Sequence, residues 1–225
     1  MAQARYCRPE AYELFARQVP VIETSPALLT AAVALSMHDL DDVTPQFVDD
    51  VLAKYAGEVR GRVKSSSTAA LLAHLHEVLF EEAGFVGNVD DYYNPLNSYV
   101  PAVLQSRRGL PITLTLIYKI VAERVGLHVV GVNAPLHFMA AVQEEGKLML
   151  IDPFFAGRAL SKEEAFERLD QIAGGAVPRV EAMLPVATHR QWIGRMLHNL
   201  INVFQHVGLE DQMKAMLELR GLLEE

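Results

Sequence analysis

The stretch Pro111–Gly126, PITLTLIYKIVAERVG, limits what this chain can fold into more than any other. Ile112, Leu114, Leu116, Ile117, Ile120, Val121 and Val125 cover almost its whole circumference, so a helix here must be buried on most sides. Pro111 suits the first helical position and Gly126 the end. Directly after it the hydrophobic period changes to two. LHVVGV, HFMAAV and KLMLID read as short strands rich in Val, Leu and Ile. The last two are joined by QEEGK, where Gly146 is available for the positive φ of a hairpin loop. The fold class is α+β.

The chain before this core reads as helices set off by capping signals. TSPALLTAAVALSMHDL starts with Ser25 as N-cap and Pro26 in the first helical position, and VTPQFVDDVLAKYAGEV repeats the device with Thr44 and Pro45. SSSTAALLAHLHEVLFEEAG carries a stripe of Leu71, Leu72, Leu75, Val78 and Leu79 and stops at Gly84. These three helices read as one packed layer. Past the strands, LSKEEAFERL opens a helix with Ser161 and Glu164 spaced as a capping box. The tail from Thr188 is a helical hairpin that breaks at Gly208 and resembles a single tetratricopeptide-type repeat, which cannot bury its own face and must pack on something else. No Gly/Ser- or Pro-rich linker intervenes, so the expected division is residues 1–187 and a packed hairpin over 188–225.

At 225 residues, 51% hydrophobic and 21% charged, the chain can bury a core without disulfides or metals. A net charge of −8 argues against a nucleic-acid partner, and the basic run SRRG is too short to reverse it. Cys7 is the only cysteine, so neither an intramolecular disulfide nor a cysteine-based metal site can form. MAQARYCRPEAYELFARQ has no apolar leader, and no window reaches about 18 unbroken apolar residues. The expected location is the cytoplasm, with no membrane partner. His74 and His76 are two apart on a helix, His198 and Asn202 read as a solvated face, and the other histidines lie far apart, so no metal or other cofactor is expected.

Chemistry concentrates in HFMAAVQEEGKLMLIDPFFAG, where His137 and Asp152 are separated by the 15 residues (152 − 137) that two strands and a hairpin require. This layout is similar to transglutaminase and papain-like sites. There a cysteine sits in the first turn of the central helix, whose N-terminus lowers the thiol pKa and offers N–H groups to the oxyanion. The His takes the proton and the Asp holds its tautomer. The run GLPITLTLIYKIVAERVGLHVVGVNAPLHFMAAV, the segment LIDPFFAGRAL, the lead-in DDYYNPLNSYVPAVLQSRRG and the tail RQWIGRMLHNLINVF together resemble the SirB-type transglutaminase-like family, known from bacterial proteins and from a domain of an animal F-box protein.

The resemblance covers Asp90–Val207 and implies a cysteine-protease-like core, to which the residue patterns add the N-terminal helical layer and the C-terminal tetratricopeptide-like hairpin. It also implies where the thiol belongs: two residues after the glycine of GLP, one helix before Gly126. That position holds Pro111, which has no side-chain proton and no backbone N–H. Thr113 is a candidate substitute, but two residues swing a helical side chain through roughly 200°, and a buried Thr bonds to the carbonyl one turn back. Cys7 is separated from the site by the helical layer. Asn97 occupies the place of an oxyanion-donating amide; alternatively, Asn97 and Asn94 cap a turn beside Pro95. Tyr92 and Tyr93 are lid, wall or core, and Phe154 and Phe155 pack under the sheet after Pro153 ends the strand.

Three functions remain open from these residues. The leading one is a non-catalytic transglutaminase-like protein whose pocket, with Pro111, Thr113, His137, Asp152, Asn97, Asn94 and Tyr93, binds a peptide, an acyl or amide-like ligand, or a protein partner. The second is a hydrolase in which His137, oriented by Asp152, activates water. The third is a regulatory or structural subunit with a vestigial cleft. A cleft filled at Pro111 argues against the second.

Overall fold

The computed structural model describes residues 4–65, 67–144 and 146–224. In chain order the helices are α1 (Pro9–Gln18), α2 (Ser25–Met37), α3 (Pro45–Arg62), α4 (Thr68–His76), α5 (Val100–Ser106), α6 (Pro111–Arg124), α7 (Lys162–Ala173), α8 (His189–Val207) and α9 (Glu210–Glu224). The strands are β1 (Val86–Gly87), β2 (Arg108–Gly109), β3 (Val129–Val132), β4 (Met139–Glu144), β5 (Lys147–Asp152), β6 (Arg158–Leu160) and β7 (Val186–Ala187). The chain divides into two compact units: Met1–Asp49 with Val89–Ser106 and Thr188–Glu225, and Asp50–Asn88 with Arg107–Ala187.

The first unit is helical. α1 packs on α2, α2 on α8, α8 on α9, and α9 returns to α1. Phe15, Leu28, Leu35, Trp192 and Phe204 are fully buried among them. The cap of α2 is Thr24, whose hydroxyl accepts from Ala27 N–H, so the expected cap at Ser25 is one residue late. Thr188 and Gln191 form a capping box at α8, and Gly208 ends that helix at φ +76°. Both ends of the unit are joined by one carboxylate. The backbone N–H groups of Arg5, Tyr6 and Cys7 all donate to Glu218 on α9, at 2.7, 3.0 and 2.8 Å. Partial burial works to raise the Glu218 carboxyl, but the three donors outweigh it and hold it below its ordinary value of 4.5.

The second unit holds the sheet, ordered β6-β5-β4-β3-β7 with every neighbouring pair antiparallel. Val132, Met139, Ala141, Leu150 and Leu160 form one cluster with Ala165, Phe166 and Leu169 of α7. Strand alternation turns Ala140 and Val142 to the opposite face, left for α6, which packs on β3 and β4. This two-sided burial explains why HFMAAV is a continuous apolar run rather than an alternating one. Every residue of α6 from Pro111 to Ala122 is buried. Buried Lys119 pairs with Glu123 and donates to the Val129 carbonyl at 2.7 Å, tying helix to sheet.

Short elements escaped the sequence reading. β1 and β2 pair in parallel, β6 and β7 close the sheet edges, and residues Glu77–Glu82 extend α4 as a π-helix before Gly84 at φ +74°. Of the three helices expected as one layer, α2 belongs to the first unit and α4 to the second. Gly146 takes the expected positive φ, +77°, while Glu145 of the same loop lies outside the described residues. The capping box of Ser161 and Glu164 is present at α7. No helix among the described residues is long and apolar enough to cross a membrane.

Because the folded Glu218 carboxyl is more acidic than its unfolded counterpart, its contribution is present above pH 4.5 and is lost as pH falls through the folded value. Glu218→Gln should lower the stability of the chain at pH 7 by about 1 kcal/mol, allowing for partial exposure. It should also flatten the acid limb of stability against pH. Urea melts of both proteins between pH 3 and 7 test this, and parallel curves would refute the latch.

Candidate functional site

The site of the second unit begins at the first turn of α6. Pro111 stands at the first helical position, where a missing N–H costs nothing, and Leu110 precedes it without a side-chain cap. The N–H groups of Thr113 and Leu114 both return to the Leu110 carbonyl. Pro111, Thr115 and Lys119 follow one another at four-residue spacing and therefore share a face. Thr115 donates to the Phe138 carbonyl (3.4 Å) and Lys119 to β3, so that face looks at the sheet. The Thr113 hydroxyl is fully buried and has no hydrogen-bond partner, contrary to the expected bond to the carbonyl one turn back.

His137 lies not on a strand, as expected, but two residues before β4. It closes a turn in which its N–H reaches the Ala134 carbonyl (3.4 Å), with Pro135 second and Leu136 third at φ +60°. Proline followed by a positive φ is the type II pattern, in which glycine normally takes the third place. Asp152 is the last residue of β5. Its Oδ1 accepts from Phe154 N–H (3.1 Å), and its carbonyl accepts from Gly157 N–H (2.9 Å), so the strand turns sharply after it.

These two loops meet at one bond, His137 Nε2 to Asp152 Oδ2 at 2.9 Å. A carboxylate only accepts, so Nε2 carries the proton, and in the neutral ring Nδ1 is left as the basic nitrogen. The pair is enclosed: His137 is 2% exposed and Asp152 0%. Phe154 stands edge-on to the imidazole at 5.9 Å and Phe155 tilts against it at 6.2 Å. Phe154 is seated on Gly87 of β1, where any Cβ would collide with its ring. Phe155 is 38% exposed, so only the first of the two phenylalanines packs inside as expected.

Chemically this is a buried imidazole hydrogen-bonded to a buried carboxylate, in a unit whose sequence contains no cysteine. Cys7 belongs to the first unit, where burial, then the charge of Glu218, pushes its thiol up to about 12 and keeps it protonated. Asn94, Asn97 and Tyr93 also belong to the first unit. The Asn97 amide donates to the carbonyls of Asp91 (2.6 Å) and Tyr92 (3.2 Å). Asn94 Oδ1 accepts from Leu96 N–H (3.0 Å), capping the turn, and Tyr93 stacks on His206 at 4.8 Å. Among the described residues no group of three His, Cys, Asp or Glu side chains is placed to hold a metal. Sequence reasoning missed Leu136 and Arg168 near this pair and took Phe155 for a packed residue. Leu136 is 61% exposed, and the only signal for it was its place between Pro135 and His137.

The sequence profile of the transglutaminase-like superfamily matches residues 46–198 of the chain. A UPF0162 protein of Xylella fastidiosa is 34% identical over 194 residues, spanning 84% of this chain and 69% of the relative. A UPF0162 protein of Pseudomonas aeruginosa is 26% identical over 88% of this chain and 72% of its own length. Human F-box only protein 21 is 28% identical over 73% of this chain, which corresponds to 27% of that protein. No solved structure matches the chain significantly.

The His137–Asp152 bond fastens two loops, so its removal should be felt as lost stability. Asp152→Ala leaves the buried His137 Nε2–H without its Asp152 acceptor and should cost about 2–4 kcal/mol. Asp152→Asn, which keeps one acceptor oxygen, should recover part of that. Denaturant midpoints of the three proteins measure it, and an unchanged midpoint in Asp152→Ala would remove the fastening role.

Proposed function

The chain belongs to the transglutaminase-like superfamily, and on that premise we propose that it acts by binding, without covalent catalysis. The observation that carries this reading is Pro111 at the head of the buried helix, in a unit that contains no cysteine. The enclosure of His137 and Asp152 adds to it, because an imidazole 2% exposed has no room for a water to attack from. The pair then serves as a clasp, and the ligand meets the two loops that it holds together. A peptide or an acidic or amide-like group of a protein partner suits such a surface.

Within the superfamily its RRGLPITL and LIDPFF runs support a reading as a SirB-type protein. The likeness to a segment of F-box only protein 21 fits a module that is carried inside larger proteins. Residues 188–225 act as a tetratricopeptide-like hairpin that adds interaction surface to the domain of residues 1–187, in a cytoplasmic protein. Thr113 remains a candidate ligand contact beside the site pair, and Asn94, Asn97 and Tyr93 remain candidate contacts on the first unit.

A panel of p-nitrophenyl esters, p-nitroanilides and an isopeptide substrate should be turned over no faster by the wild-type chain than by His137→Ala. Any activity that the mutant loses defeats the binding reading and puts the water-activating hydrolase in its place.

A further inference from the structure

The rim beside the imidazole carries a cation that the fold does not use. On α7 the carboxylates that could neutralise Arg168 are already engaged. Glu164 takes Arg158 at 3.2 Å and caps its own helix, and Asp170 takes Arg179 at 2.5 Å. Glu163 lies 3.6 Å from Arg179. Glu167, the adjacent residue, points about 100° round the helix. Arg168 has no hydrogen bond or ion pair among the described residues. Its guanidinium instead lies over the Phe155 ring, 3.6 Å from the centroid. Phe155 is fixed on its other sides by Phe154, at 5.2 Å, and by the His137 imidazole. One aromatic ring therefore separates a positioned, unneutralised guanidinium from the buried pair.

Stacking holds the plane of a guanidinium and covers one face, leaving its N–H groups directed outward in plane. That is the geometry in which arginine takes a carboxylate with two parallel hydrogen bonds. In a chain of net charge −8, an arginine left without a counter-charge beside a candidate site is poorly explained by folding alone. We propose that Arg168 is the anion-recognising group of this rim, and that the ligand is a peptide-like molecule bearing a carboxylate. Leu136, exposed and held at φ +60° on the neighbouring loop, supplies an apolar contact for the same ligand. The proposal rests on the reading of these two loops as a ligand surface.

The test uses two probes of one shape, N-acetyl-L-glutamate N-methylamide and its glutamine counterpart. Each is titrated into the full chain while the His137 ring and the arginine Nε–H resonances are followed by NMR. The expected result is a saturable shift of both sets of signals with the acid, and affinity for the amide weaker by roughly tenfold or more. Arg168→Gln should erase the difference, and Arg168→Lys should keep part of it. Because the acid and the amide are compared first on the wild-type chain, the result does not depend on a variant folding. Equal shifts of His137 by both probes would overturn the role of Arg168 while leaving the ligand surface standing. If neither probe moves His137, both readings fall.

Discussion

A helix buried around its whole circumference can offer chemistry only at its ends, and α6 is such a helix from Pro111 to Ala122. The rest of the second unit follows from that burial. The sheet must be apolar on both faces, because α6 covers one and α7 the other. The one charged side chain that α6 buries, Lys119, is neutralised by Glu123 and spent on joining the helix to β3. The first turn, which in a covalent enzyme of this architecture would be the place for a nucleophile, is buried too and begins with Pro111. Proline there starts the helix well and does nothing else.

A His–Asp bond as deeply buried as this one has structural consequences of its own. Hydrogen-bonded polar pairs in a dry interior are costly to break and of little net benefit against a well-packed apolar replacement. This pair joins the turn ending at His137 to the turn starting at Asp152, two loops with no strand pairing between them at that point. Its specificity lies in register: Oδ1 sets the Phe154 turn while Oδ2 holds the imidazole, so one carboxylate fixes two backbones. The aromatic rings around it keep water from competing.

The legible parts of the sequence were those with strong periods. α6, the three strands β3 to β5, the Ser161 capping box and the spacing of His137 and Asp152 all stood out from residue pattern alone. Two- and three-residue strands such as β1, β2, β6 and β7 hold less than one full alternation, so no period exists to detect. The turn at Ala134–His137 was hidden because a leucine occupies the place where glycine would have announced it. Thr113 was misjudged because a helical hydroxyl is expected to find the carbonyl a turn back, and here it does not. Arg168 and Phe155 come from separate elements, one on α7 and one after β5, and no local rule links them. The division into units was invisible for the same reason, since each unit is assembled from separated segments.

That interleaving sets an order of assembly during synthesis. Everything the second unit needs has been made once Ala187 is in place. The first unit, by contrast, includes the early helices α1 and α2 yet lacks Trp192, Phe204 and Glu218 until the segment from Thr188 is made. Until then the faces of α1 and α2 that meet α9 and α8 lack those partners. Such exposed intermediates are the usual substrates of chaperones and the usual seeds of aggregation. The helices here that depend on sequence made later are α1 and α2.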